Sequence, residues 1–195
     1  MSKGLITGLS IVGGIILVAI IFVMWGSGVY DNAVAKQEEL TKSWNNVQAT
    51  YQRRADLIPS LVETVKGAAE NERGILTAVT EARAGIVGAK TPEELEIAGK
   101  KINTAINLAF EAYPQIRSTE NFSDLQSQLE GTENRINVAR QDYNEAVRLY
   151  NTYVRGFFKR MALNMFGGGE DFSAKKGFEA SAEAQNAPKV DFSTK

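Results

Sequence analysis

The chain has 195 residues, enough for one ordinary domain with additional segments, and its 22 basic and 23 acidic residues leave a net charge of −1. This balance gives no overall field of the kind that attracts nucleic acid. Histidine and cysteine are both absent, which excludes disulfides, thiol nucleophiles and histidine as general base or metal ligand. We therefore expect no enzyme activity, no cofactor or metal, no small-molecule substrate and no nucleic-acid partner.

An apolar run near the N-terminus predicts a transmembrane helix. Residues 5–25 contain no charged residue, and at about 1.5 Å per residue they span roughly 30 Å, the thickness of the bilayer core. Trp25 and Tyr30 lie where an interfacial aromatic belt is expected. A cleaved signal peptide is the alternative, but the run exceeds the usual apolar region of about 7–15 residues and no A-x-A site follows it. We predict a retained anchor that contacts the lipid bilayer.

Small residues in this run have the spacing of helix-packing motifs. Gly4 and Gly8 form a G-x-x-x-G pair, and Ser10 with Gly14 repeats the spacing on a neighbouring face. This spacing lets membrane helices approach closely and favours a homo-oligomer, although glycine is also common in membrane helices in general. The sequence GSG at 26–28 then predicts a helix break and a flexible neck, so we assign residues 1–28 to the anchor and neck.

The spacing of apolar residues predicts long helices after the neck. From residue 29 to 155 they recur at intervals of three and four, which places them on one helical face, and no segment alternates with a period of two. Thr91, Pro92 and Glu94 form the start signal of one helix, with Thr91 as cap and Glu94 completing a capping box. The last long helix is predicted to begin with Asn121 or Ser123 as cap.

These patterns predict an all-α fold with an N-terminal transmembrane helix. Residues 29–155 then form an elongated antiparallel four-helix bundle with coiled-coil-like seams.

The stretch "YQRRADLIPSLVETVKG", residues 51–67, places charges and a proline within this helical pattern. In a helix interior, Pro59 would remove a backbone hydrogen bond and clash with the carbonyl of residue 55, at a cost of about 3 kcal/mol. With Asp56 as N-cap, Pro59 would stand at the third helical position, where no bond is lost. We therefore predict a corner or sharp kink, with one helix ending near residue 55.

Two arginines precede that predicted corner. Arg53 and Arg54 would stand at the C-terminal end of the first helix, where cations suit the helix dipole. One of them could pair with Asp56 or Glu63. The alternative is that the arginines hold an anionic ligand or a partner's carboxylate.

The segment that follows the last long helix is both basic and apolar. Gly156 is predicted to end or bend that helix, and we assign residues 156–195 to an amphipathic segment and a flexible tail. This composition is typical of a segment that lies in a membrane interface or packs on a partner; the alternative is that its aromatic residues only cover one end of the bundle. The candidate residues are Arg155, Phe157, Phe158, Lys159, Arg160 and Phe166.

Three motifs resemble those of the LemA family. They are "SWNNVQATYQRRADLIPSLVETVKGAAENE", which contains Trp44 and Gly67, "ARQDYNEAVRLYN" in the last long helix, and "PKVDF" at 188–192. The resemblance implies an N-terminal membrane segment or lipid anchor before a four-helix body, with no assigned catalytic residues. It also implies a setting near membrane metalloproteases and TPM-type proteins. This chain departs from many relatives by having a plain apolar span in place of a lipobox cysteine.

Two functions follow from these features. The first is a scaffold that self-associates and organises membrane or partner proteins. The alternative is an adaptor or regulator of a membrane protease or envelope quality-control complex. We expect a single-pass protein of the bacterial inner membrane. Because Lys3 precedes the span and Asp31 is the first charged residue after it, the positive-inside rule favours an extracytoplasmic body.

Overall fold

Helices make up most of the described part of the chain. The computed structural model describes residues 3–63, 69–112, 120–167 and 172–179. Within these ranges the chain is all-helical without a strand, which confirms the predicted fold class at this level. The helices are α1 (Lys3–Glu63), α2 (Ala69–Gly88), α3 (Pro92–Ala112), α4 (Glu120–Val154) and α5 (Phe157–Phe166).

Helix α1 passes through residues 26–28 without a break, so the predicted neck is wrong. The side chain of Ser27 donates a hydrogen bond to the Met24 carbonyl at 3.0 Å, within the same helix. A Cβ at position 26 would collide with the ring of Phe166. Gly26 therefore serves a close approach between two helices, and this packing outweighs the local preference of glycine for leaving a helix.

The predicted corner at residues 55–56 is also wrong, because α1 continues through Pro59 to Glu63. Asp56 is an interior helical residue that forms an ion pair with Arg83 of α2, so it is not an N-cap. Ala55 in the preceding position is fully buried. The segment is therefore helical despite the local cost of the proline, with one side chain buried and another paired with α2.

The start of α3 confirms the predicted capping box. Its first residue is Pro92, the Glu94 amide donates a hydrogen bond to the Thr91 hydroxyl at 3.2 Å, and the Glu94 carboxylate accepts one from the Lys90 amide at 2.7 Å. Helix α4 differs from the prediction, because it already includes Glu120 and therefore contains Asn121 and Ser123 instead of being capped by them.

The chain divides into two compact units. The first comprises Met1–Thr50 with Gly131–Lys175, and the second comprises Tyr51–Glu130 with Lys176–Lys195. In both, the buried side chains follow the predicted three- and four-residue spacing. The core of the first unit includes Val29, Ala33, Leu40 and Val47 of α1 with Ile136, Ala139, Tyr143, Val147, Tyr150 and Val154 of α4.

In the second unit, α2 packs against α3. A Cβ at Gly85 would lie 3.2 Å from that of Ala98, which shows how closely the two helices approach. Tyr51 of α1 is buried against Gly99 of α3. A Cβ at Gly99 would overlap the Tyr51 ring, so the position of Gly99 suits glycine. The buried set includes Tyr51, Ala55, Ala82, Ile86, Leu95, Ala98, Ile102, Ala105, Ile106 and Leu129.

Candidate membrane-proximal site

The N-terminal part of α1 exposes a continuous apolar surface. Among the described residues, this is the one helix long and apolar enough to cross a membrane, and its apolar stretch is not buried by the rest of the chain. Exposing apolar surface to water costs about 25 cal/mol per Å², so this stretch is unfavourable in water. The exposed residues include Leu9, Ile11, Val12, Ile15, Ile16, Leu17, Val18, Ile20, Ile21, Phe22, Val23, Met24 and Trp25.

Helix α5 packs beside the end of this stretch. Gly156 separates it from α4, as predicted, and its first turn closes with a hydrogen bond from the Arg160 amide to the Gly156 carbonyl at 2.7 Å. At the other end of α5, the ring of Phe166 lies 5.6 Å from that of Phe22 and fills the space above Gly26. Two helices distant in sequence therefore meet where the apolar stretch ends.

Aromatic residues hold this junction together. The hydroxyl of Tyr153, in the last turn of α4, donates a hydrogen bond of 3.2 Å to the carbonyl of Val29 in α1. The ring of Tyr30 packs edge-to-face on Phe172 at 5.5 Å, and a Cβ at Gly167 would collide with Tyr30. Burial raises the pKa of the Tyr153 phenol above its ordinary value.

Helix α5 has two apolar faces, and only one of them is packed. Ala162 and Leu163 are buried within the first unit. Phe157 and Phe158 are 77% and 65% exposed, and Met165 is 63% exposed. Among the aromatic residues of α5, Phe166 packs on α1, whereas Phe157 and Phe158 are mainly exposed.

The basic residues beside α5 are in two different environments. The ammonium group of Lys159 lies 4.2 Å from the centre of the Tyr153 ring, within the range of a cation–π contact. Arg155 and Arg160 are exposed and line a cavity of about 340 Å³, together with the polar side chains of Asn164 and Ser173. Lys159 therefore stabilises the junction, whereas the two arginines face solvent at the cavity.

The small residues of the apolar stretch are exposed. A Cβ at Gly4, Gly8 or Gly14 would meet no atom within 4 Å, and all three glycines and Ser10 are exposed. Trp25 is 40% exposed at the end of the apolar stretch, and its ring lies 5.9 Å from that of Phe22.

The structure distributes the residues of the central motif among different environments. Arg53 is exposed and Arg54 is half-buried, and burial lowers the pKa of the Arg54 guanidinium despite the opposing effect of Tyr51. Asp56 pairs with Arg83, which replaces the predicted pairing with Arg53 or Arg54.

The other motif residues are placed as follows. Pro59 is half-buried inside α1, Glu63 is the last residue of that helix, and Gly67 lies outside the described residues. Trp44 is half-buried with its ring 5.3 Å from that of Tyr143. No group of three or more acidic side chains that could hold a metal ion is found in the described ranges.

Several residues of the junction were missed by the sequence patterns. Tyr153 and Phe172 carry main contacts of the junction, and Tyr30, which the sequence placed only in an interfacial belt, packs on Phe172. An aromatic residue on a helical face does not indicate which distant residue it meets. Gly26 offered a signal, since a glycine within a helix often marks a close approach. The sequence GSG at 26–28 nevertheless predicts a break by composition.

Comparison with known families identifies relatives of the helical part of the chain. The model of the family described as "LemA family" matches residues 43–192, which is more than half of the chain. The chain belongs to the LemA family. A curated LemA-family relative, "Protein LemA" of Metamycoplasma hominis, is 22% identical over 126 residues, which cover 63% of this chain and 58% of that protein. The chain thus spans less than two thirds of that relative's length.

Proposed function

We propose that this LemA-family protein is a membrane-anchored helical scaffold that self-associates, organises membrane or partner proteins and carries out no catalysis. One observation supports the proposal above others. Helix α1 runs from the exposed apolar stretch into the buried core of the first unit without interruption. Since this single helix would serve as both anchor and body, the body would be held at a defined angle to the membrane, as a scaffold requires.

The absence of histidine and cysteine from the sequence supports a non-catalytic role. For the body we propose the antiparallel four-helix bundle predicted from the sequence. Two contacts between α1 and α4 in the first unit support it: Val29 meets Tyr153, whereas Trp44 meets Tyr143, so the contact order is opposite along the two helices.

Self-association through the anchor can be tested with single cysteines, because the chain has none of its own. A helix advances about 100° per residue, so Ile11 lies between the Gly4–Gly8 face and the Ser10–Gly14 face, while Leu9 lies on the other side. We expect oxidation in native membranes to crosslink the Ile11→Cys variant into dimers. The Leu9→Cys variant, at a similar depth, should remain monomeric.

Glycine substitutions supply the matched control for oligomer mass. Gly8→Leu should reduce the oligomer measured by native mass spectrometry in mild detergent, because the leucine side chain keeps the helix backbones apart. Gly13→Leu adds the same bulk about 140° from Gly8 around the helix and should reduce the oligomer mass less than Gly8→Leu does. A wild-type chain that is strictly monomeric in membranes and in detergent would contradict the scaffold.

We propose a bacterial inner membrane as the location, with a single pass and the body on the extracytoplasmic side. Lys42 on α1 is exposed, so Lys42→Cys provides a labelling site on the body. A membrane-impermeant maleimide should label this variant in intact spheroplasts. Labelling only after the cells are lysed would place the body in the cytoplasm.

The alternative is an adaptor or regulator of a membrane protease or TPM-type protein. It is favoured by how the tail is held: the side chain of Asn151 in α4 makes two hydrogen bonds to the backbone of Lys175, at 2.8 and 2.9 Å. The following residues 180–195 would then be presented from a fixed point. Pull-downs with the full chain and with a chain ending at residue 179 should recover different membrane partners; identical recovery would contradict a docking role for this segment.

A further inference from the structure

The exposed face of α5 is a separate feature of this helix and not part of its packing. At about 100° per residue, Phe157, Met161, Met165 and Phe158 fall within one continuous sector, whereas Leu163 points to the opposite side of the helix. Ala162 lies beside the edge of this sector, next to Phe158. The first four are exposed and the last two are buried. The chain therefore leaves four large apolar side chains in solvent on a helix that is already packed by its other side.

The position of this face indicates which surface covers it. Phe166 on α5 contacts Phe22 and Gly26, which mark the end of the exposed apolar stretch of α1. A bilayer that covers the stretch has its interface at this level, because the first buried residues of α1 follow immediately at Gly26 and Val29. Helix α5 is thus held where lipid headgroups meet acyl chains, and short amphipathic helices with this composition suit such an interface.

The charges beside this face match an anionic headgroup. Arg155 and Arg160 line the cavity of about 340 Å³ next to α5, where Asn164 and Ser173 add hydrogen-bonding groups. The described lining contains no carboxylate. Guanidinium groups bind phosphate oxygens in bidentate geometry and are favoured where a phosphate must be recognised near an apolar surface.

We propose that α5 is an interfacial helix that binds an anionic phospholipid of the bilayer crossed by α1. The apolar face inserts among acyl chains, and Arg155 with Arg160 binds the lipid phosphate. This inference rests on the proposed membrane anchoring of α1 and adds a second, lipid-specific contact to it. Together the two contacts fix the body against the membrane surface at two points.

Insertion of α5 can be measured with nitroxide labels on single cysteines of the full chain in phosphatidylcholine–phosphatidylglycerol vesicles. Labels at Phe158→Cys and Met165→Cys should collide more with oxygen than with a water-soluble nickel chelate, which is the signature of a lipid environment. A label at Val18→Cys reports on the anchor in the same way. A label at Lys42→Cys, exposed on the body, provides the aqueous control.

The environments of these labels distinguish the membrane anchoring of α1 from the interfacial role of α5. If the label at Val18 is in lipid while those at Phe158 and Met165 match the one at Lys42, the anchor stands and the interfacial role of α5 is wrong; the face would then be left for a protein partner. If the label at Val18 is also in water, the anchor itself is wrong. Labels in lipid at all three positions support both.

Headgroup recognition has its own matched pair of variants. We expect Arg155→Gln/Arg160→Gln to lower the enrichment of phosphatidylglycerol over phosphatidylcholine retained by the protein, measured by native mass spectrometry from mixed bilayers, by about tenfold, because two basic contacts are lost. The control Arg135→Gln/Arg148→Gln removes the same charge from exposed positions of α4 and should leave the enrichment unchanged. Equal effects of the two pairs would overturn the specific role of the cavity.

The alternative ligand for Arg155 and Arg160 is a soluble phosphate ester. We compare the affinity of the protein for glycerol phosphate, added to phosphatidylcholine vesicles, with its affinity for phosphatidylglycerol in mixed vesicles. The affinity for glycerol phosphate should be at least tenfold lower, because it lacks acyl chains for the apolar face. Equally tight binding of glycerol phosphate would overturn the lipid assignment.

Discussion

The carboxylate of Asp56 in α1 forms an ion pair with the guanidinium of Arg83 in α2. The pair lies one turn before Pro59, in a segment where the sequence alone indicated that a helix would end. Because both side chains remain about 45% and 44% exposed, the pair is expected to contribute little to stability. Its importance is that it assigns Asp56 a partner in another helix.

The role of Asp56 can be tested by comparing two substitutions. Asp56→Ala and Asp56→Asn should both lower the free energy of unfolding by about 0.2–1 kcal/mol, because each removes the charge that pairs with Arg83. Urea unfolding in mild detergent measures the change, and the effect should shrink in high salt. An asparagine that restores wild-type stability would instead indicate a helix cap, since asparagine caps as well as aspartate.

Replacing Pro59 with alanine should stabilise the protein. A proline in a helix interior costs about 3 kcal/mol. Proline also stabilises the folded state by about 0.4–1 kcal/mol, because it restricts the unfolded chain. We therefore expect Pro59→Ala to raise the free energy of unfolding by about 2 kcal/mol in the same experiment. Pro92→Ala is the control, because Pro92 is the first residue of α3, where no hydrogen bond is lost. A Pro59→Ala variant that is no more stable than wild type would contradict a continuous α1.

Two helical glycines should respond oppositely to alanine. Gly99→Ala places a Cβ against the ring of the buried Tyr51, and overpacking of this kind costs about 1–3 kcal/mol. Gly131→Ala adds a Cβ in open space within α4 and should raise stability by about 0.5–1 kcal/mol through helix propensity. Thermal unfolding followed by circular dichroism distinguishes the two, and a destabilised Gly131→Ala would contradict the packing described for α4.

Two neighbouring tyrosines provide a test of the junction between α1, α4 and α5. Tyr153→Phe removes the hydrogen bond to the Val29 carbonyl and should cost about 0.5–1.5 kcal/mol. Tyr150 is fully buried, and no described residue hydrogen-bonds to its hydroxyl, so Tyr150→Phe should not lower stability. A loss with Tyr150→Phe as large as that with Tyr153→Phe would show that the two hydroxyls play equivalent roles.

The same phenols predict a loss of stability in alkali. Burial raises the pKa of Tyr150 above its ordinary value of 10.0, because the charged phenolate is disfavoured in the core. The stabilisation is fully present below the unfolded pKa and is lost as the pH rises through the folded pKa. We therefore expect unfolding free energy to fall above a pH of about 10, and to fall less steeply for Tyr150→Phe. Parallel pH profiles for the two proteins would contradict this.

Much of the helical body could be predicted from the sequence because it depends on local patterns. Residues at intervals of three and four, such as Leu95, Ala98 and Ile102, are buried as expected. The cap of α3 is read from three residues close together in the chain, and its hydrogen bonds are those expected. The uncharged run at 5–25 likewise predicted the exposed apolar stretch.

The candidate site was only partly predictable. The basic and aromatic residues after Gly156 were identified by composition, but composition did not distinguish Phe166, which packs on α1, from Phe157 and Phe158, which face solvent. Nor did it separate Lys159, placed over the Tyr153 ring, from Arg155 and Arg160 at the cavity. These differences depend on which side of α5 meets its neighbours.

The amino-acid sequence by itself determined the helical class, the apolar N-terminal segment, the cap of α3 and the spacing of the buried residues along the long helices, because each follows from interactions within a few turns of chain. Only the tertiary structure decided that α1 is one helix through Gly26 and Pro59. At both positions the local preference is to leave the helix, but contacts with Phe166 and Arg83, distant in sequence, accompany a helix that does not break. Local propensities amount to about 1 kcal/mol for glycine and 3 kcal/mol for proline, and burial of side chains between helices can exceed both.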